Sequence, residues 1–188
     1  MKLVILESPY KGRSVEEQIA NINYAQACAH DSLVNHHEAP FPSHLLYTQD
    51  GILDDKIPTE RQLGIDAGLS WGSKAEATVV YIDRGISPGM QYGIKNAHQS
   101  NRLVIYRALQ KRNYRIVTFD QSVELVDMSK PGPGRFDAVI NPGVYATTLI
   151  PNPSGDPEHS NWLLIVGTTI GATVEWVRNE AISIATLS

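Results

Sequence analysis

Short runs of branched and large apolar residues alternate with stretches of helical spacing, and this alternation limits the fold more than any other feature. Leu3 to Leu6 is an unbroken apolar run that stops at Ser8-Pro9. Ala77 to Ile82 is a second, rich in β-branched residues, and Leu103 to Tyr106 is a third. Continuous runs without polar alternation belong to strands buried on both faces, as in parallel sheets covered by helices. Between them, Ser14-Val15-Glu16-Glu17 has the form of a capping box. Val15, Ile19, Ile22, Ala29 and Leu33 follow at helical spacing, which predicts a helix from about residue 15 to about 34. Pro58-Thr59-Glu60 opens a second helix. Ser87-Pro88 reads as an N-cap followed by proline at the first helical position. Met90, Ile94 and Ala97 then line one face. The expected class is α/β, a flavodoxin-like or Rossmann-like parallel sheet with helices on both faces, plus a C-terminal extension.

The chain of 188 residues has room for one domain with a core, or one domain and an appendage. A formal net charge of −4 argues against a binder of nucleic acid polymers, which needs a basic face. The lone Cys28 excludes an intrachain disulfide framework and fits a reducing cytoplasm. The apolar run after Lys2 is too short for a signal sequence or a membrane span, so a soluble cytoplasmic protein without a membrane partner is expected. Composition changes near residue 129, where prolines and glycines cluster. Residues 1–128 therefore read as the α/β domain and 129–188 as an extension that packs on it or forms an oligomer interface. Tyr114 to Phe119 and Trp162 to Val166 are further strand candidates. Val174, Val177, Ala181 and Ile184 have the spacing of a closing helix.

Open α/β sheets bind ligands at the carboxyl ends of their strands, which singles out three loops. The first is Glu-Ser-Pro-Tyr-Lys-Gly from Glu7. The second runs from Pro40-Phe41-Pro42-Ser43-His44 toward Asp54-Asp55 and Glu60-Arg61. The third is Asp83-Arg84-Gly85-Ile86-Ser87-Pro88-Gly89-Met90. In this order they resemble the nucleoside 2-deoxyribosyltransferase-like superfamily, most closely its small, often phage-encoded branch of unknown function. The resemblance spans roughly residues 1 to 107. It implies a pocket for a nucleoside or nucleotide and no cofactor. In active members a glutamate four residues after the third loop's glycine attacks the anomeric carbon, giving a glycosyl ester that water or another base resolves.

Here that position is Gly93, within Gly89-Met90-Gln91-Tyr92-Gly93-Ile94-Lys95-Asn96-Ala97. Glycine supplies no nucleophile, and inside a helix it costs about 1 kcal/mol against alanine. It is expected to clear space for a ligand, or else to mark drift after loss of activity. Surrogate carboxylates are Glu60 and Asp83, the latter also placed to meet a ribose hydroxyl. Ser8, Pro9 and Tyr10 belong to the first loop, with Tyr10 either stacking on a base or packing locally. Arg13 and Lys11 either neutralise a phosphate or lie in solvent. His44 bonds either a ligand or a neighbouring loop. Gly85, Ser87, Gly89 and Met90 form a helix start that either holds an anion or is an ordinary cap. His30, His36 and His37 lack the further ligand a metal site needs, and none is expected.

Two function classes follow. One is binding, and in a phage setting sequestration in the host cytoplasm, of a nucleotide-like molecule used in host defence, by a catalytically degenerate fold. The other is an active N-glycosidase or deoxyribosyltransferase that uses a different carboxylate. In both, the partners are a nucleotide or nucleoside and further copies of the chain as a homo-oligomer.

Overall fold

The structure, a computed structural model, describes residues 1–110, 114–120, 122–126, 136–151, 161–165, 174–175 and 183–185. They fall into two units. The first comprises Met1–Ile82 and Ser87–Leu109, the second Asp83–Ile86 and Gln110–Ser188.

The first unit contains β1 (Lys2–Glu7), α1 (Val15–Val34), β2 (Glu38–Phe41), α2 (Ser43–Leu46), α3 (Pro58–Gly72), β3 (Ala77–Tyr81), α4 (Pro88–Gln99) and β4 (Leu103–Arg107). Its four strands form one parallel sheet in the order β2-β1-β3-β4. The α/β class expected from the alternating pattern is therefore the class observed. β3 is buried along its whole length, as its apolar run requires. Val4, Leu6, Ala77, Val79 and Tyr81 pack with Cys28 of α1. Ile5, Glu7, Thr78 and Val80 alternate with them and so project from the other side of the pleat. Pairing runs Val4 with Ala77 through Glu7 with Val80, and on to Leu103 through Arg107. The chain moves from β1 outward to β2, then from β3 outward in the opposite direction to β4. The carboxyl ends of β1 and β3 thus flank the switch point, where open sheets part to form a crevice.

α1 spans the expected residues, and its inward face is made of small ones. Asn21, Ala25, Cys28 and Ser32 are buried, whereas Val15, Ile19 and Leu33 are 69%, 52% and 45% exposed. Small residues let the helix approach the sheet, and its two buried polar side chains are satisfied. Asn21 Nδ2 donates to the carbonyls of Tyr10 and Lys11, each at 3.3 Å, and Ser32 Oγ donates to Glu38 Oε2 at 2.7 Å. The capping box is also only half formed. Ser14 Oγ accepts from Glu17 N at 3.2 Å, but Glu17 turns to the N–H and Nε of Arg13.

The second unit holds β5 (Tyr114–Phe119), β6 (Val123–Val126), β7 (Phe136–Ile140), β8 (Gly143–Pro151), β9 (Asn161–Ile165), β10 (Val174–Glu175) and β11 (Ser183–Ala185). Five of these make a sheet in the order β10-β9-β8-β5-β11 with antiparallel pairing, and β6 pairs with β7. The first unit ends at Leu109, and β5, within the residues 1–128 read as the α/β domain, pairs with β8 and β11. One expectation is corrected. The closing helix is not formed at its ends. Val174 pairs with Leu164 and Ile184 with Val117 as strand residues, while Val177 and Ala181 lie outside the described residues. Among the described residues no helix is long and apolar enough to cross a membrane.

A buried ion pair joins the first residue of β2 to the last of β4. Arg107 donates to both oxygens of Glu38, at 2.6 and 2.8 Å, and this contact holds the Glu38 carboxyl below the usual carboxylate range. Removing one partner leaves a buried charge unpaired. Arg107→Ala is expected to lower the stability of the first unit by about 3 kcal/mol, read by hydrogen exchange at β1. Because the folded-state pKa is depressed, the pair's contribution is present above the ordinary carboxyl pKa. It is lost as pH falls through the folded value.

Candidate functional site

The site grows from the carboxyl end of β1. Glu7 is the strand's last residue and projects toward α4, while Ser8 and Pro9 leave the sheet buried. Gly93 of α4 is also buried. A Cβ built on Gly93 would overlap Glu7 Oε1 and lie 2.7 Å from its Cδ and 3.3 Å from its Oε2. The helix therefore meets the Glu7 carboxyl with bare backbone, and only glycine permits that approach. The space expected to await a ligand beside Gly93 is filled by a carboxyl group of the chain itself.

Glu7 keeps only a partial opening to solvent. Burial pushes its carboxyl up to about 8, against a weaker opposing pull from the Arg102 guanidinium. Arg102 is engaged elsewhere. Its Nε donates to Thr78 Oγ1 at 2.8 Å, and its two terminal nitrogens donate to the Gly72 carbonyl at 2.8 Å and Asn96 Oδ1 at 3.1 Å. It locks β3, α3 and α4 together and supplies charge at a distance. Among the described residues the Glu7 carboxyl takes no hydrogen bond. At neutral pH it is mostly the neutral acid, with one donor and free acceptor capacity. A mostly enclosed polar group without a protein partner calls for water or a ligand.

The next residue points the other way. Ser8 Oγ and His44 Nε2 are 2.9 Å apart, and the Tyr10 ring meets the His44 ring edge-on at 6.2 Å between centroids. Burial drops the His44 imidazole to about 4, so it is neutral at physiological pH. α2 is fixed by close approach of α3: a Cβ on Gly68 would be 2.9 Å from Ser43 Oγ. Phe41, Tyr47 and Trp71 pack beside it, with Trp71 Nε1 donating to the Tyr47 hydroxyl at 3.0 Å. Asn21, through the Tyr10 and Lys11 carbonyls, holds the first loop from below.

The sequence-chosen residues separate into groups. Ser8, Tyr10 and His44 converge. Pro9 is buried in the same turn. Gly93, Met90, Ser87 and Gly89 share the first turns of α4. There Ser87 Oγ accepts from Met90 N and Met90 Sδ accepts from Ser87 N, both at 3.4 Å. With Gln91 N bonded to the Ser87 carbonyl and proline at the first position, this helix start is largely self-capped. Arg13 is 68% exposed at its side chain and pairs with Glu17 at 3.1 Å. Glu60 accepts from Asp54 N at 2.6 Å and so closes the loop before α3. Asp83 and Gly85 belong with the second unit, where Asp83 Oδ1 accepts from Gln110 N at 2.8 Å and Gly85 takes φ +84° in the turn. Glu7 and Arg102 were not foreseen. The available signal was an ionisable residue ending a wholly apolar strand of a parallel sheet. Among the described residues no group of three or more His, Cys, Asp or Glu could hold a metal ion.

A four-stranded parallel sheet with an enclosed carboxyl at its switch point defines an α/β protein with a ligand-site candidate at the strand ends. The chain belongs to the family described as a domain of unknown function, DUF7768, whose model matches residues 2–107. The match ends two residues short of the end of the first unit. No curated protein matches the chain.

The two shifted groups oppose each other in pH. The folded protein holds the Glu7 proton more tightly than the unfolded chain, so stability falls as pH rises from about 4.5 to about 8. It holds a His44 proton less tightly, so stability rises from about pH 4 to about 6.5. Between pH 6.5 and 8 only the Glu7 effect remains of the two. Its size there is about 1–2 kcal/mol after allowance for its partial exposure. Glu7→Gln is expected to abolish that decline in denaturant titrations and to steepen the His44 rise between about pH 4.5 and 6.5, which Glu7 offsets in the wild type.

Proposed function

We propose that the chain binds a nucleotide-like small molecule at the carboxyl end of β1 and does not consume it at neutral pH. One observation carries this reading: an enclosed carboxyl at the switch point of a parallel sheet that takes no hydrogen bond among the described residues. Its Oε1 overlaps the place a side chain at position 93 would take, the position to which the resemblance assigns the nucleophile of active members. A glycosyl-enzyme step needs an ionised carboxylate as nucleophile. An acid whose pKa is raised to about 8 is mostly protonated at pH 7 and is a poor one. The same neutral acid is well suited to binding. It donates to one ligand oxygen, accepts from another hydroxyl, and does not repel a phosphate. The neutral His44, with Ser8, adds a second polar pair on the other side of the strand end.

The Glu7 placement also favours a second reading, turnover with Glu7 as the working carboxylate. The two separate on pH. Purified protein incubated with nucleoside 5′-monophosphates is expected to bind them by calorimetry and to release no free base by chromatography at pH 7. Glu7→Ala should weaken binding at least tenfold, about 1.4 kcal/mol. Base release that climbs as pH passes 8 and vanishes in Glu7→Gln would instead establish the glycosidase.

A further inference from the structure

α1 turns Asn21, Ala25, Cys28 and Ser32 to the interior and leaves a second, largely apolar row exposed. That row is Val15, Ile19, Ile22, Gln26, Ala29 and Leu33. Each of its last four members follows a buried residue by one position, so the row lies about 100° round the helix from the buried one. Its successive gaps are four, three, four, three and four residues, the a/d spacing of a helix that packs on another helix. It extends for about 27 Å. Val15, Ile19 and Leu33 are exposed, as is Gln26, while Ile22 and Ala29 are half-buried. The middle of the row, at Ile22 and Gln26, borders a hollow that reaches to Tyr10 and Leu45. Single apolar residues on a surface need no explanation, but a continuous line at this spacing calls for a partner.

The row is complementary to itself when reversed. Set against an antiparallel copy, Val15 faces Leu33, Ile19 faces Ala29 and Ile22 faces Gln26, and the two-fold repeats each layer. Ile19 with Ala29 joins large to small, and a single polar residue at one a position, Gln26, fixes the register. The flanking row away from the buried face is Glu16, Asn23 and His30, all exposed and seven residues apart. In an antiparallel pair this row meets its own counterpart, so Glu16 meets His30 and Asn23 meets Asn23. Carboxylate meets imidazole N–H, and each amide offers both a donor and an acceptor. In a parallel pair the row would instead meet Gln18, Ala25 and Ser32, of which Ala25 and Ser32 are already buried. We infer that this face of α1 is a self-association surface, on which a second copy of the chain docks its own α1 antiparallel to form a two-fold dimer. The inference is independent of the nucleotide-binding reading. It puts the contact between copies on α1, whereas the sequence reading offered residues 129–188 for that role.

The test is sedimentation of the full chain across the micromolar range, in wild type and in three sets of variants. Wild type is expected to show a monomer–dimer equilibrium. Ile19→Asp/Leu33→Asp should leave only monomer. Both residues are exposed, so the fold is kept, which circular dichroism checks. His30→Glu should weaken the dimer several-fold by opposing Glu16, a clash the two-fold repeats. Adding Glu16→Lys to His30→Glu should bring the dimer back toward wild type, a rescue that damage to the helix would not give. Orientation is read by oxidation. Val15→Cys/Leu33→Cys should link two copies through a disulfide, and Val15→Cys alone should not. A wild type that is monomeric throughout overturns the proposal. So does a dimer indifferent to Ile19→Asp/Leu33→Asp, which would put the contact elsewhere on the chain. Copies linked by Val15→Cys alone would overturn the antiparallel pairing.

Discussion

The carboxyl of Glu7 lies against bare helical backbone, and much of the first unit follows from that contact. A strand-end glutamate in a parallel sheet would ordinarily reach solvent or a cation. Here α4 comes close enough at Gly93 that no side chain fits between them. The approach requires α4 to be pinned, and Arg102 does this by bonding Asn96 on the helix, Thr78 on β3 and the last carbonyl-bearing turn of α3 at Gly72. The guanidinium is too committed to neutralise Glu7 by direct pairing. Desolvation therefore dominates, and the group keeps its proton. A glycine that weakens the helix and an acid that resists ionisation are two halves of one arrangement. Each is costly alone, and such costs tend to gather at functional positions.

The other side of the strand end is built by different means. Buried Asn21 anchors the first loop by its carbonyls, and the Gly68 contact with the Phe41–Tyr47–Trp71 group fixes the short α2. Together they bring His44 to Ser8. The result is a strand terminus whose consecutive residues serve opposite faces, Glu7 toward α4 and Ser8 toward α2. The period of two in a β-strand makes this unavoidable. One short strand end thus organises two polar groups.

Local signals were the legible ones. The apolar runs of β1, β3 and β4, the Ser14 and Ser87 caps and the proline starts of α3 and α4 all depend on neighbours within a few residues. Each could be read directly from the sequence. Long-range choices were not legible. The inward face of α1 went to Ala25 and Cys28 because close packing favoured small residues over the larger Val15 and Ile19. Val174 and Ile184 have helical spacing, yet they pair with β9 and β5, and nothing local reveals those partners. Gly93 was recognised as exceptional from its register. What it makes room for depended on a residue 86 positions earlier, visible only once β1 and α4 are side by side. Ser8, Tyr10 and His44 were legible as a group because strand-end loops converge in this class. Glu60 and Asp83 were drawn in by chemistry alone, and each is occupied with a nearby backbone N–H.

The most direct measurement is the ionisation of Glu7 itself, followed by carbon-13 NMR of its carboxyl in wild type and in Gly93→Ala. Alanine should favour the helix by about 1 kcal/mol, so a stability change alone mixes two effects, whereas the carboxyl signal reports its surroundings. In wild type the group is expected to titrate near 8. In Gly93→Ala the new methyl displaces it toward solvent, and its midpoint should drop back toward the ordinary value of 4.5. An ordinary midpoint in wild type, or the same raised midpoint in both proteins, would contradict the arrangement of Glu7 over Gly93.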